Sequence, residues 1–259
     1  MSGGFRSEVF DCVSTDGRRV VVKLAPNRDL AETEALALKT WANTGVTIRL
    51  VDVDLDNAAL LLERLYPATP LSSSDEPAAI VVAADILKAL RVVPVPNLQF
   101  QTLEDAYVHL ERRAKEDARY EQEYRGEPSR GRPALDLLPA AHELLVRLCD
   151  SAGKNVLLHG DFIAKNLLLH ESTYVAIDPM PMVGDPCSDI GFFAAGYGSA
   201  TNVLERAKTI AKRNGEDLLR AQQWAVVWAI LQAAQAWRDD QAELEQLVAS
   251  EKTQQLLRA

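Results

Sequence analysis

The sequence predicts an α+β fold with two lobes, a small N-terminal lobe built on an antiparallel sheet and a larger, mainly helical C-terminal lobe. Three observations support this class. β-rich runs separated by turn residues fill residues 5–65, a turn-rich segment follows Tyr66, and helical spacing dominates beyond Pro77. We therefore place the N-terminal lobe at residues 1–66 and the C-terminal lobe at residues 67–259.

The N-terminal lobe is expected to hold four strands and one helix. Residues 30–41 combine helical spacing of apolar side chains with strong helix formers. Asp16 and Gly17 favour a hairpin turn between the first two strands, because both residues suit tight turns. The predicted strands are residues 8–13, 19–24, 46–53 and 58–64.

The C-terminal lobe is expected to be helical around one short β-rich segment. Residues 67–77, which contain three consecutive serines, are turn-rich and should connect the lobes. The predicted helices lie near residues 78–91, 101–123, 135–151, 201–213, 216–237 and 240–257. The predicted short strands are 156–158, 167–169 and 174–177, and most of the chemically suggestive residues lie in the loops between them.

The net charge argues against two classes of partner. With 28 basic and 37 acidic residues, the formal charge of -9 produces a field that repels nucleic acid and anionic lipid surfaces. We therefore expect neither nucleic acid nor a membrane as a partner. The same field would attract a cationic small molecule, although solubility is the simpler explanation of an acidic surface.

The cysteines and the N-terminus indicate a reducing compartment. Cys12, Cys149 and Cys187 are far apart and form no CxxC pair, so free thiols are expected rather than disulfides or a zinc site. Residues 1–10 lack the apolar core of a signal peptide, and no stretch reaches the ~18 apolar residues of a membrane span. A cytoplasmic location follows as an expectation. The sequence does not indicate an oligomeric state.

The candidate chemistry lies in one stretch of oxygen-bearing side chains. His159, Gly160 and Asp161 are followed by Asn166 and then, at the end of a predicted strand, by Asp178. Phosphoryl transfer needs a carboxylate to orient the attacking hydroxyl and hard oxygen ligands for magnesium, and these residues supply both. Each residue alone could belong to an ordinary turn or strand end. Together, at this spacing, they favour a kinase-type site.

The segment LLHGDFIAKNLLLHESTYVAIDP resembles the catalytic and metal-binding loops of the aminoglycoside phosphotransferase family, and LLLERLYPATPL resembles its streptomycin and hydroxyurea kinase branch. The resemblance implies a bilobal protein-kinase-like fold that uses ATP and magnesium. It also implies that Asp161 is the catalytic aspartate, that Asn166 and Asp178 hold magnesium, and that Asp189 braces the catalytic loop. His159 and Gly160 would support that loop.

A kinase of this type also needs a strand lysine for the nucleotide phosphates and a helix glutamate to hold it. Lys23, in a predicted strand, and Glu34, in the predicted helix, fit these roles. A strand lysine more often simply faces solvent, and Glu32 is a rival to Glu34. Their pairing is therefore a specific prediction.

Further nucleotide contacts are expected from backbone groups. The adenine base should meet the backbone of Glu63 to Leu65 at the lobe connection. Gly3 and Gly4 could form a flexible phosphate cover, although two terminal glycines are more often simply disordered.

The sequence departs from the family pattern in two places. The strand that normally precedes the glycine loop is apparently missing, which raises the possibility of impaired nucleotide binding. Residues 162–165, before Asn166, lack the histidine and glycine usual in relatives and place Lys165 there, which could change substrate or phosphate contacts.

The sequence therefore predicts an ATP- and magnesium-dependent phosphotransferase acting on a small-molecule hydroxyl, with an aminoglycoside or related antibiotic as acceptor. Two alternatives stay open. One is a kinase of another small metabolite, such as an amino sugar or a choline-like compound. The other is a nucleotide-binding module that has lost turnover.

Overall fold

The computed structural model describes residues 7–91, 95, 100–125, 132–235 and 241–259. It has an antiparallel sheet in its N-terminal part and mostly helices in its C-terminal part, which confirms the predicted fold class.

The N-terminal sheet has the strand order β1-β2-β4-β3, and all of its pairings are antiparallel. The turn before β2 uses the left-handed backbone of Gly17 (φ 84°), whose amide donates to Ser14. Helix α1 begins after Asn27, whose side chain accepts the Leu30 amide. The elements are β1 Glu8–Val13, β2 Arg19–Leu24, α1 Arg28–Trp41, β3 Leu50–Asp54 and β4 Ala59–Glu63.

The third strand differs from its prediction, because it begins at Leu50 rather than at residue 46. The intervening residues pair instead with the C-terminal lobe. The Ile48 amide donates to the Ala176 carbonyl, and the Ala176 amide donates to the Val46 carbonyl. A run of β-forming residues is therefore shared between two sheets, and it joins the lobes.

The connection between the lobes is more ordered than the predicted turn-rich segment. Strand β5 (Pro67–Pro70) pairs antiparallel with β8 (Leu167–His170), and β8 pairs with β9 (Thr173–Ala176). The Glu171 amide donates to the Tyr66 carbonyl beside this sheet. The connection is thereby fixed to the hairpin that carries the candidate chemistry.

Helices pack around α7 in the C-terminal lobe. Every residue of α7 from Gln223 to Ala234 is buried, including Trp224 and Trp228, as expected for a central core helix. Helix α5 approaches α7 so closely at Gly191 that a Cβ atom there would lie 2.6 Å from the Ala225 nitrogen. The remaining elements are α2 Glu76–Leu90, β6 Gln101–Thr102, α3 Leu103–Arg125, α4 Arg132–Asp150, β7 Val156–Leu158, β10 Met182–Gly184, α5 Cys187–Gly196, α6 Val203–Asn214, α7 Leu218–Ala234, α8 Gln241–Ala249 and α9 Glu251–Arg258, with 3-10 turns at Leu71–Ser73, Ala164–Asn166 and Ala200–Asn202.

The C-terminal lobe differs from its prediction in further respects. Helix α5 and strand β10 were not predicted, and strand β6 occupies the first two residues of the helix predicted at 101–123. The single helix predicted at residues 240–257 is two helices, because the Ser250 side chain accepts the Thr253 amide and starts α9. Among the described helices, none combines the length and apolarity needed to cross a bilayer.

Candidate active site

The loop after β7 is shaped by a glycine and a buried carboxylate. Gly160 has a left-handed backbone (φ 76°), and a Cβ atom there would lie 2.0 Å from the Met180 carbonyl oxygen. Asp189, at the start of α5, accepts the amides of His159 at 2.7 Å and Gly160 at 3.0 Å. These contacts hold the backbone immediately before Asp161.

Asp161 and Asn166 lie together at the two ends of this loop. The Asn166 side-chain amide donates to the Asp161 carboxylate at 2.8 Å and to its carbonyl oxygen at 3.0 Å. Burial raises the pKa of Asp161, while the Asn166 hydrogen bond and the charge of Lys165 oppose that rise. The carboxylate can therefore act as a proton acceptor in a partly desolvated position.

Asp178 reaches the same region from the turn after β9. Its backbone is left-handed (φ 56°), which is uncommon for a residue other than glycine and marks a constrained position. The Ile177 amide just before it donates to the Asn166 carbonyl. The Asp178 side chain is 49% exposed, so its carboxylate is open to a ligand on one side.

Lys23 joins the N-terminal sheet to this turn. Its ammonium lies 2.6 Å from a Glu34 oxygen and 2.5 Å from Asp178 Oδ1. Burial alone lowers the pKa of Lys23, but the two carboxylates outweigh it and raise that pKa, which keeps the ammonium charged. The predicted pairing with Glu34, rather than Glu32, is present in the structure.

An aromatic contact fixes α1 against the loop after β7. The Trp41 and His159 rings are stacked, with centroids 6.4 Å apart. The Phe162 ring meets the His159 ring edge-on. His159 Nε2 lies 3.1 Å from the Ile177 carbonyl, so this nitrogen carries the proton in the hydrogen bond. Burial lowers the pKa of His159 to about 4, and the ring is neutral at physiological pH.

The predicted adenine-binding residues lie at the lobe connection. The Glu63 side chain accepts the Arg49 amide at 2.7 Å, and the Glu63 amide donates to the Arg49 carbonyl at 3.1 Å, so only the Glu63 carbonyl oxygen could serve a base. Leu65 is buried, and within the described part of the chain no group accepts its amide hydrogen. A buried amide without a partner is unusual, and it leaves a donor for a ligand. Gly3 and Gly4 lie outside the described residues.

The sequence analysis overlooked Asp185. This carboxylate is almost fully buried and accepts hydrogen bonds from Arg220 Nε, Trp224 Nε1 and the Cys187 amide, at 2.5, 2.6 and 2.9 Å. It joins the start of α5, which carries Asp189, to α7. An aspartate before a proline at a helix start was the available signal, but its partners come from distant parts of the chain.

A sheet lobe packed on a helical lobe, with a lysine–glutamate pair facing an aspartate–asparagine loop, defines the class of protein-kinase-like folds. The family model for aminoglycoside/hydroxyurea antibiotic resistance kinases matches residues 1–241, and the chain belongs to this family.

Curated relatives carry related names. The streptomycin 6-kinase of Streptomyces glaucescens is 33% identical over 191 residues, which cover 73% of this chain and 59% of the relative. The hydroxyurea phosphotransferase of Kitasatospora aureofaciens is 31% identical over 194 residues, covering 71% of this chain and 52% of the relative. The chain thus spans less than two thirds of the length of these relatives.

Solved structures share the fold at low identity. A choline/ethanolamine kinase family protein from Mesorhizobium loti has a TM-score of 0.67 at 13% identity, covering 99% of this chain and 90% of that one. The aminoglycoside phosphotransferase APH(4)-Ia, in a thermostable mutant, has a TM-score of 0.59 at 16% identity, covering 100% and 92%.

Proposed function

We propose that this chain transfers the γ-phosphoryl group of ATP to a hydroxyl group of a small molecule, with an aminoglycoside of the streptomycin type as the first acceptor class. The observation that carries the proposal is the position of Lys23, in contact with both Glu34 and Asp178. Lys23 and Asp178 also lie near enough to Asp161 for their charges to affect its pKa. Phosphoryl transfer requires these charges around one cleft.

Asp161 is assigned as the group that receives the acceptor proton. The acceptor oxygen forms a bond to the γ-phosphorus while the bond from that phosphorus to the bridging oxygen breaks, and ADP leaves with the electron pair. The hydroxyl proton passes to the Asp161 carboxylate. Its hydrogen bond from Asn166 holds the carboxylate in one orientation, which favours in-line attack.

Asn166 and Asp178 are assigned to magnesium. The residues fit this ion, because amide and carboxylate oxygens are hard ligands and Asp178 is half-exposed. Magnesium usually takes only one or two protein carboxylates and completes its shell with phosphate oxygens and water. When bound, the ion would neutralise charge on the nucleotide phosphates.

Lys23 is assigned to the nucleotide phosphates, with Glu34 holding it in position. The Leu65 amide, which has no acceptor among the described residues, and the Glu63 carbonyl oxygen are assigned to the adenine base. This arrangement also supports a division between a nucleotide-binding lobe ending at Tyr66 and an acceptor-binding lobe beginning at Pro67. The phosphate cover by Gly3 and Gly4 and a cytoplasmic location stay predictions from sequence.

The acceptor class follows from the relatives and the charge. Relatives named for streptomycin and hydroxyurea support an antibiotic as acceptor. The net charge of -9 favours a cationic compound, as aminoglycosides are. Glu243 of α8 accepts the Ser199 hydroxyl and the Ala200 amide, so this acidic residue is assigned to the fold rather than to the acceptor.

The proposal is tested by ADP release with streptomycin, hydroxyurea, choline and an amino sugar as acceptors. We expect release that depends on streptomycin, a streptomycin product heavier by one phosphoryl group, and a loss of about 10²–10⁴-fold in Asp161→Asn. Turnover with choline or the amino sugar alone would favour a metabolite kinase. Nucleotide binding without turnover on any acceptor would favour the inactive module.

A further inference from the structure

Lys165 occupies a distinctive place in the catalytic loop. It lies on the 3-10 turn Ala164–Asn166, between Asp161 and Asn166. The residues before and after it on the turn are buried, whereas Lys165 is exposed. The turn therefore directs a single long cationic side chain to the open side of the loop.

The Lys165 ammonium has no bonding partner in the described part of the chain. Among the residues that the structure describes, none forms an ion pair or a hydrogen bond with it. Lys23, by contrast, is held by Glu34 and Asp178. Lys165 is also near enough for its charge to oppose the rise in the pKa of Asp161. It is a free cation beside the carboxylate that is assigned to the acceptor hydroxyl.

The transferred group needs such a cation. Charge spreads over the three non-bridging oxygens of the γ-phosphoryl group during transfer, and Asp161 and Asp178 add negative charge nearby. A donor aimed at charge that develops in the transition state accelerates the reaction more than one that binds the ground state.

We propose that Lys165 binds a non-bridging oxygen of the γ-phosphoryl group during transfer and is a further catalytic residue. This inference rests on the proposed function, because it requires a nucleoside triphosphate in the cleft. The inference leaves the bonds made and broken and the proton transfer to Asp161 unchanged. The alternative is a lysine that only interacts with solvent.

Binding provides a test that does not depend on turnover. The affinities of the wild type and Lys165→Met are measured by calorimetry for magnesium with ADP and for magnesium with a non-hydrolysable ATP analogue. We expect the variant to bind the analogue about tenfold more weakly, because a charge-assisted hydrogen bond is lost. Its affinity for ADP should match that of the wild type.

Steady-state kinetics of the same variants provide a second test. Lys165→Met should lower kcat by about 10²-fold and raise the KM for ATP by up to about tenfold, in line with its weaker binding of the analogue, while Lys165→Arg should recover most of both losses. Lys252→Met, at an exposed lysine of α9, is the matched control and should behave as wild type.

Equal affinity of the wild type and Lys165→Met for the ATP analogue would overturn the inference. So would an unchanged kcat in that variant. Failure of this inference can be distinguished from failure of the proposed function. Absence of acceptor turnover in the wild type would count against the proposed function alone. The comparison of ADP with the ATP analogue would still decide the role of Lys165.

Discussion

Lys23 of the N-terminal sheet and Asp178 of the C-terminal lobe form an ion pair with an Nζ–Oδ1 distance of 2.5 Å. The lysine is buried and the aspartate is half-exposed, so the pair is open to solvent on the aspartate side. Nucleotide phosphates and magnesium would compete for these two groups. We infer that the pair holds both side chains in place, Lys23 for the nucleotide phosphates and Asp178 for the magnesium ion that it would hold.

Replacing Lys23 with Met should lower kcat/KM by about 10²-fold, because a preorganised cation at the phosphates is lost. Acceptor-dependent ADP release measures the effect, and Lys252→Met serves as the control. Unchanged kinetics in Lys23→Met would show that this lysine only stabilises the fold.

Replacing Asp185 with Ala should lower the free energy of unfolding by about 3–5 kcal/mol, because it leaves the Arg220 charge and the Trp224 indole without a partner. Urea denaturation followed by tryptophan fluorescence measures the change. Asp56→Ala is the matched control. Its ion pair with Arg28 is exposed, and the loss should be about 0–1 kcal/mol. Equal losses in the two variants would contradict the role of Asp185.

Neutral His159 predicts a loss of stability in acid. Burial lowers its pKa from 6.5 to about 4, so the unfolded chain binds a proton that the folded chain does not. The contribution of neutral His159 to the free energy of unfolding is fully present above pH 6.5 and declines as the pH falls towards 4. His159→Gln, which cannot titrate, should therefore lose less melting temperature than the wild type as the pH falls from 6.5 towards 4.

Asp189 changes the stability of the fold in the opposite direction over nearly the same pH range. Burial raises its pKa from 3.8 to about 6, so its ionisation reduces stability as the pH rises through that interval. Because Asp189 is present in both proteins, the comparison of His159→Gln with wild type isolates the histidine. His109→Gln, at an exposed site, is the control and should show the wild-type dependence of the melting temperature on pH. A wild-type dependence in His159→Gln would contradict the prediction.

Much of the N-terminal lobe could be predicted because its signals are local. The hairpin of β1 and β2 has its predicted bounds, since a strong turn separates two β-rich runs. Asp161, Asn166 and Asp178 could also be placed near one another from the sequence, because one loop and one hairpin separate them. Residues 46–48 were predicted to belong to the third strand but lie outside it, because their partner Ala176 belongs to the other lobe.

Other features depend on tertiary contacts that a sequence pattern does not show. Helix α5 is buried on nearly every side, so no amphipathic spacing marks it. Asp185 resembles an ordinary turn residue until α7 brings Arg220 and Trp224 to it. The choice of Glu34 over Glu32 depends on which face of α1 meets the sheet.

The central claim is that Asn166 and Asp178 make nucleotide binding depend on magnesium. Calorimetric titration of ATP into the wild type, Asn166→Ala and Asp178→Asn, with magnesium and with a chelator, tests it most directly. Asparagine at 178 suits the left-handed backbone, so the fold should persist, and melting temperatures verify this. We expect magnesium to strengthen ATP binding in the wild type and to have little effect in either variant. An undiminished effect of magnesium in both variants would contradict the account.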